Sequence, residues 1–387
     1  MKHIYLDNAA TTATDLAVAA AVLASMTQAY GNPSSLHYFG QESRRAVALG
    51  RRQLADLLNA RPEEIFYTSG GSESDNFALK GIAWANRQRG NHIITTEIEH
   101  HAVLHTCEWL EKQGFVITYL PVDADGRVSV ESVAAAITEE TILISVMFAN
   151  NEVGTIEPIG EIGALAHERG IYFHTDAVQA VGHVPIDVEA LHIDLLSLSG
   201  HKFYGPKGIG ALYVRRGVRI EPFVLGGSQE RNLRAGTENV PGIVGLGLAA
   251  VKAGEDLKGE TARLVNLRDT LIEGVFEKIP DSKLNGVRAG RLPGNVNFSF
   301  AGVDGEALLV NLDLSGIAAS SGSACAAGSV DPSHVLLALG LTKSLAASSL
   351  RLTLGRNNTM ADVEAVLEIL PSTVARLRRL AQPEKMK

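Results

Sequence analysis

The 387-residue chain holds only two cysteines, Cys107 and Cys325, and two tryptophans, and aromatic residues make up 5% of it. Two cysteines cannot build a disulfide framework. Stability must come from aliphatic burial, for which an apolar fraction of 45% is ample. No apolar run reaches transmembrane length. The start, MKHIYLDNAATT, lacks the hydrophobic core of a secretory signal. The expected setting is therefore a reducing cytoplasm, where a thiol stays available for chemistry. Positive charge is not in excess either. Lys and Arg total 35 against 43 Asp and Glu, a net charge of −8, which argues against nucleic acid as the main partner. Neither H-E-x-x-H nor C-x-x-C occurs, and no repeat or low-complexity segment stands out.

What is present is an alternation. Short apolar runs rich in β-formers recur: EIFYTS (64–69), HIITTE (92–97), FVITYL (115–120), TILISVMF (141–148), IYFHTD (171–176), IDLLSLS (193–199) and GALYV (210–214). Several are apolar on both faces, as strands of a covered parallel sheet are. Between them lie helix-period stretches, among them 75–89, 102–113, 129–137 and 160–169, and a longer one at 43–59 precedes the first strand. This predicts an α/β layered fold with a mostly parallel central sheet covered by helices. After about residue 255 the texture changes. Residues 256–279 predict one long amphipathic helix, followed by a strand at 295–300 and a C-terminal helical pattern at 360–380 interrupted by Pro371. The expected division is a large unit over 15–255 and a smaller α+β unit built from 1–14 and 256–387.

Several segments could carry chemistry, and each has an ordinary alternative. TSGGSESDN (68–76) follows a strand and opens a helix, so its N–H groups suit a phosphate, with Ser72 adding a hydroxyl. A plain βα turn with a serine cap reads as well. FHTDAVQAVG (173–182) puts Asp176 at the end of a strand, where α/β folds bind ligands and an acid can hold a proton on a ring nitrogen. A helix N-cap is the alternative. SGHKFYGPKGIG (199–210) puts Lys202 at another strand end. A desolvated lysine there forms a Schiff base with an aldehyde; a snorkelling surface lysine is the alternative, and Lys207 is a rival. EHHAVLHTCE (99–108) sets His101 and His105 four apart on one helix face, a spacing zinc proteins use, although a histidine after a strand can equally stack on a flat ring. RAGTEN (234–239) offers a further phosphate contact. SLRLTLGR (349–356) holds Arg351 in an apolar run, where a guanidinium needs an anionic partner. Finally, Cys325 sits in SSGSACAAGSVDPSH (320–334) among serines, glycines and alanines, with little to pack against. Such a composition makes a loose arm, on which a thiol can move.

Jointly these are the parts that pyridoxal phosphate needs: a phosphate cradle, an acid for the pyridinium nitrogen, a lysine for the aldehyde, a ring to stack and an arginine for an amino acid's carboxylate. Over essentially its whole length the chain resembles the cysteine desulfurases of the NifS/IscS group, on the NifS-type side, within the fold-type I enzymes related to aspartate aminotransferase. The motifs that carry the resemblance are YLDNAATT (5–12), YGNPSSLH (30–37), TSGGSESDN, EHHAVL (99–104), ANNEVG (149–154), HTDAVQAVG (174–182), SGHKFYGPKGIGALY (199–213), RAGTENVPGIVGLG (234–247), SSGSAC (320–325) and LRLTLGR (350–356).

The resemblance implies conversion of L-cysteine to L-alanine, with the sulfur passing to Cys325 as a persulfide. A selenocysteine or cystine lyase of the same fold is the alternative. It implies that Lys202 holds the cofactor aldehyde, Asp176 the pyridine nitrogen and Gln179 the phenolic oxygen. His100 stacks on the ring and Asn151 lies near the ring oxygen. Gly71, Ser72, Ser199 and His201 hold the phosphate, and Thr237 reaches the phosphate of the other subunit of a homodimer. Arg351 binds the substrate carboxylate, assisted by Asn32. No metal is expected. A sulfur acceptor such as an iron–sulfur scaffold protein is expected. IscS-type proteins carry a tail that helps to dock that scaffold; this chain ends soon after its last helix, at QPEKMK, which argues against that partner or that docking mode.

Overall fold

The computed structural model describes residues 3–255, 257–321 and 332–381. Twelve strands run in chain order: β1 (Ile4–Tyr5), β2 (Ile65–Thr68), β3 (His92–Thr96), β4 (Val116–Leu120), β5 (Thr141–Ser145), β6 (Tyr172–Asp176), β7 (Leu195–Ser199), β8 (Gly210–Val214), β9 (Ser282–Leu284), β10 (Asn295–Phe300), β11 (Ile317–Ala318) and β12 (Ser349–Thr353). Seven of them form one sheet in the order β2-β8-β7-β6-β5-β3-β4. Only β8 runs against the rest, pairing antiparallel with both β2 and β7. The expected mostly parallel sheet is therefore present. Strands β2, β3, β5, β7 and β8 are buried at every position, because helices cover both faces. One face packs Tyr67, Ile94, Ile144, Phe173, Leu196 and Leu198 against the helices Tyr38–Leu58, Ile159–Glu168 and Val240–Glu255. The other packs Phe66, Ile93, Leu143 and Leu195 against Gly71–Asn86 and His101–Glu111.

A second, antiparallel sheet runs β12-β10-β9, and β1 pairs with β11. Its core gathers Leu264, Leu271 and Val275 from the helix Leu257–Lys278, Val366 and Leu370 from the helix Met360–Ala381, and Ile4 and Leu6 from the N-terminus. Pro371 does not interrupt that last helix, contrary to the sequence pattern. A proline inside a helix leaves the carbonyl four residues back without its N–H donor, and Lys278 Nζ donates to that carbonyl, of Leu367, at 3.4 Å.

Two helices, Leu16–Thr27 and Val240–Glu255, lie outside the helix-period stretches. The second carries Gly242, Gly245 and Gly247, which lower helical propensity. Their use is close approach. A Cβ at Gly245 would meet Pro206 and Val22 at 2.5 and 2.7 Å, and one at Gly247 would meet the Gly50 backbone at 2.6 Å. Among the described residues, no helix is long and apolar enough to cross a membrane.

Candidate active site

The ends of four sheet strands and the turn after β2 converge on one cavity of about 260 Å³. The C-terminal edge of a parallel sheet is where α/β folds leave such a crevice. Ten of the residues named from the sequence line it: Gly71, Ser72, His100, Asn151, Asp176, Gln179, Ser199, His201, Lys202 and Arg351. Asn32 and Thr237 do not. Asn32 is exposed and its Oδ1 accepts from the Ser34 N–H at 2.9 Å, and Thr237 is exposed in the loop before Val240. Cys325 lies outside the described residues.

The end of the cavity expected from the sequence to take a phosphate is built by the helix Gly71–Asn86. No side chain caps its first turn, so the amide groups there are available to an anion. Gly71 is required for space, since a Cβ would stand 2.6 Å from Val178 Cγ2. The nearby Glu73 carboxylate is neutralised by Arg234 at 2.8 Å. An adjoining cavity shares Gly71, Ser72, Ser199 and His201 with the first and adds Thr11 and Lys207. Lys207, the rival to Lys202 in the sequence, thus lines this adjoining cavity and not the one that holds Lys202.

Lys202 closes a short 3-10 turn, Gly200–Lys202, straight after β7. Its Nζ donates to the carbonyls of Ala9 and Ala10 at 2.5 and 2.9 Å, and Gln179 Nε2 donates to the Ala9 carbonyl at 3.0 Å. The N-terminal AATT segment is in this way the lysine's resting cradle, a role that its sequence did not announce. It is tied down by Thr12 Oγ1, which donates to the His201 carbonyl at 2.9 Å.

Asp176 ends β6 and is buried, with its Oδ1 accepting from the Val178 N–H at 2.9 Å. Burial raises its pKa to about 6, against the pull of that amide and of Lys202. His100 caps the helix His101–Glu111, its Nδ1 accepting from the Ala102 N–H at 3.1 Å. Burial first, then Lys202, lowers its pKa to about 4, so the ring that lines the cavity is neutral at pH 7. His201 is likewise lowered to about 4, chiefly by burial. Arg351 is 2% exposed. Its Nη2 reaches Asp7 at 2.9 Å and its Nη1 donates to the Asn151 carbonyl at 3.1 Å, while Nε has no partner among the described residues.

The rival metal set does not assemble. His101 and His105 stack at 5.0 Å, and His334 approaches His101 at 4.8 Å. Cys107 points the other way, fully buried in the core beside Phe66 and Ile93, where burial pushes its thiol up. Among the described residues, the ligand-type atoms close enough to share an ion belong to Asp75, His100 and Asp176, within 4.8 Å of one another. Asp75 is the site residue that motif reading passed over. The signal for it was a carboxylate one turn into an otherwise buried helix.

The model of the family described as Aminotransferase class-V matches residues 4–366. A protein of Clostridium botulinum named cysteine desulfurase IscS is 57% identical over 382 residues, covering 98% of this chain and 96% of its own. One of the same name from Methanosarcina thermophila is 57% identical over 380 residues, covering 98% and 94%. Among solved structures, a NifS-like protein superimposes with a TM-score of 0.91 at 37% identity, covering 97% of this chain and 100% of its own. SspA in complex with cysteine superimposes with a TM-score of 0.82 at 39% identity, covering 91% and 98%.

Proposed function

The chain belongs to the class-V aminotransferase family and, within it, to the NifS/IscS cysteine desulfurases, and from that premise we propose that its cavity holds pyridoxal 5′-phosphate and turns L-cysteine into L-alanine, with the sulfur passing to Cys325. The observation that carries the reading is the convergence of Lys202, Asp176, His100 and an uncapped helix N-terminus on one cavity. The residues fit the cofactor. The glycine-bounded turn takes the phosphate, a buried acid faces the ring nitrogen, and a primary amine reaches the aldehyde. When bound, the cofactor supplies an electron sink that acidifies the Cα–H of the amino acid and weakens its bond to sulfur.

The protein's own groups do the rest. Lys202 would hold the aldehyde end of the cofactor, and its Nζ would take the Cα proton of the substrate. Asp176 would keep a negative charge at the ring nitrogen, Gln179 and Asn151 would face the phenolic oxygen, and neutral His100 would cover the ring. Arg351, with Asn32, receives the substrate carboxylate. The Cys325 thiolate attacks the substrate sulfur; the Cβ–S bond breaks with its electron pair left on the carbon side, where a proton completes the methyl group of alanine, and the persulfide so formed is a reversible cap suited to handing sulfur on. In this reading residues 15–255 hold the cofactor, and 1–14 with 256–387 bring the cysteine. The acceptor is a protein such as an iron–sulfur scaffold, and the compartment is the reducing cytoplasm.

The site needs a second copy of the chain. The helix Leu16–Thr27 is apolar nearly all round, yet Leu16 is 87% exposed and Leu36 beyond it 83%. Leu23, Met26, Tyr30 and Tyr38 extend the same apolar surface. A helix without a polar face is covered in the working assembly. Thr237, exposed here, then reaches the phosphate of the other subunit.

Incubation with L-cysteine followed by mass mapping is expected to add sulfur to Cys325. Cys325→Ala is expected to abolish both the persulfide and alanine release. Retained alanine release would favour the selenocysteine or cystine lyase reading. A colourless protein with stoichiometric zinc would overturn the pyridoxal reading altogether.

A further inference from the structure

Behind Asp176 lies a second acid, Asp75, on the first turns of the helix Gly71–Asn86. It is 1% exposed. One of its carboxyl oxygens lies within 4.8 Å of a carboxyl oxygen of Asp176. Among the described residues no lysine or arginine pairs with it. His174 Nε2 lies 3.7 Å from Oδ1, and Oδ1 has no hydrogen-bond partner among the described residues. His174 is itself wholly buried between Ser145 Oγ and Ser197 Oγ, at 2.9 and 3.0 Å. Burial lowers its pKa to about 3, so it brings no charge. The other groups facing this spot are His100, neutral for the reason given above, Lys202, which acts on Asp176, and Glu99. Glu99 is wholly buried and pushed up to about 8, chiefly by burial.

Two ionised carboxylates this close in a buried site are not tolerated without a cation between them. Asp176 has the Val178 N–H and the field of Lys202 to favour its charged form. Asp75 has burial and repulsion from Asp176 against it, with only Ser197 in its favour, and is raised well above the usual carboxylate range.

We propose that Asp75 is a positioning residue for the cofactor ring: a neutral carboxylic acid packed behind Asp176, it leaves a single carboxylate charge, on Asp176, for the ring nitrogen to pair with. It rests on the pyridoxal reading of the cavity. Its consequence is a site whose charge is set by two acids and one proton. As pH rises and Asp75 gives up that proton, a second anion appears beside Asp176.

The test uses the full-length protein loaded with pyridoxal phosphate. Infrared spectroscopy at neutral pH is expected to show a protonated-carboxyl stretch that Asp75→Asn lacks and that Glu99→Gln, a control for the other buried acid, retains. Asp75→Asn keeps shape and neutrality, so its affinity for pyridoxal phosphate is expected to stay within about twofold, whereas Asp75→Leu, which cannot hydrogen-bond, is expected to lose about tenfold. The visible band of the bound cofactor is expected to show an alkaline step in the parent that is absent from Asp75→Asn. Should Asp75→Asn not fold, Ser197→Ala is expected to shift the Asp75 stretch in frequency without removing it. Binding of pyridoxal phosphate with no stretch assignable to Asp75 and identical pH profiles would overturn this proposal alone. Failure to bind pyridoxal phosphate at all would overturn the functional reading and this proposal together.

Discussion

Arg351 shows how a single side chain can be both structural and available. It sits on β12 with its guanidinium buried, shared between Asp7 and the Asn151 carbonyl. A buried guanidinium that keeps an N–H without a partner among the described residues is a receptor for a further anion. Arg351→Ala is expected to raise KM for cysteine by about ten- to a hundredfold, the range of one or two hydrogen bonds to a charged group, with a smaller effect on kcat. Arg351→Lys restores the charge but not the fork and is expected to recover only part of the loss. Steady-state kinetics of alanine release would check this; an unchanged KM in Arg351→Ala would remove the residue from substrate binding.

Elements matter where a loop must be held in a costly shape. Before Thr237 the chain takes three successive left-handed residues, Glu230, Arg231 and Asn232, with φ of 44°, 56° and 67°. Such residues cost on the order of 1 kcal/mol or more each. The clamp that repays this comes from the helix Tyr38–Leu58. Arg51 grips Glu230 with two hydrogen bonds, at 2.6 and 2.8 Å, and lies over the Tyr67 ring at 4.7 Å. The same carboxylate accepts from the Tyr67 N–H at 3.0 Å. Arg51→Ala strands a buried carboxylate and is expected to cost about 3–5 kcal/mol in chemical denaturation. Arg51→Ala with Glu230→Gln is expected to lose less than Arg51→Ala alone, because no buried charge is then left unpaired. A double variant as unstable as the single one would place the loss elsewhere.

Over the whole molecule, buried ionisable groups set a window of stability. Burial lifts Glu99 and Glu157 to about 8 and Glu152 to about 7. These acids bind more protons folded than unfolded, so stability is lost as pH rises from their ordinary range through those values. Burial lowers His174 to about 3 and His100 and His201 to about 4. The unfolded chain binds protons at these histidines first, so stability is lost as pH falls below about 6.5. The cofactor-free protein is expected to melt highest between these limbs, near pH 6, and Glu99→Gln is expected to flatten the alkaline limb. A melting temperature rising steadily to pH 9 would contradict this. The dimer has its own test. Lys202→Ala and Thr237→Ala subunits, mixed and reassembled, are expected to regain up to half of the parent activity, because one site of each mixed dimer is then intact. No recovery would place Thr237 in the site of its own chain.

The sheet and most of the cavity were legible in the chain because they rest on local signals. Runs apolar on both faces can only be covered strands, and Gly71, Asp176 and Lys202 each follow one, so strand ends gather them at one edge. What was not legible depended on residues far apart in sequence. The glycines of Val240–Glu255 argue against a helix until Gly50 and Pro206 are seen pressed against it. Pro371 argues for a break until Lys278 takes the freed carbonyl. The role of Asp75 needs the opposing carboxylate of Asp176, contributed by a strand a hundred residues later. The sequence by itself determined which residues could do chemistry and at which strand ends they stand. Only the tertiary structure decided which of them share one buried space, and it is that sharing that changes their charge.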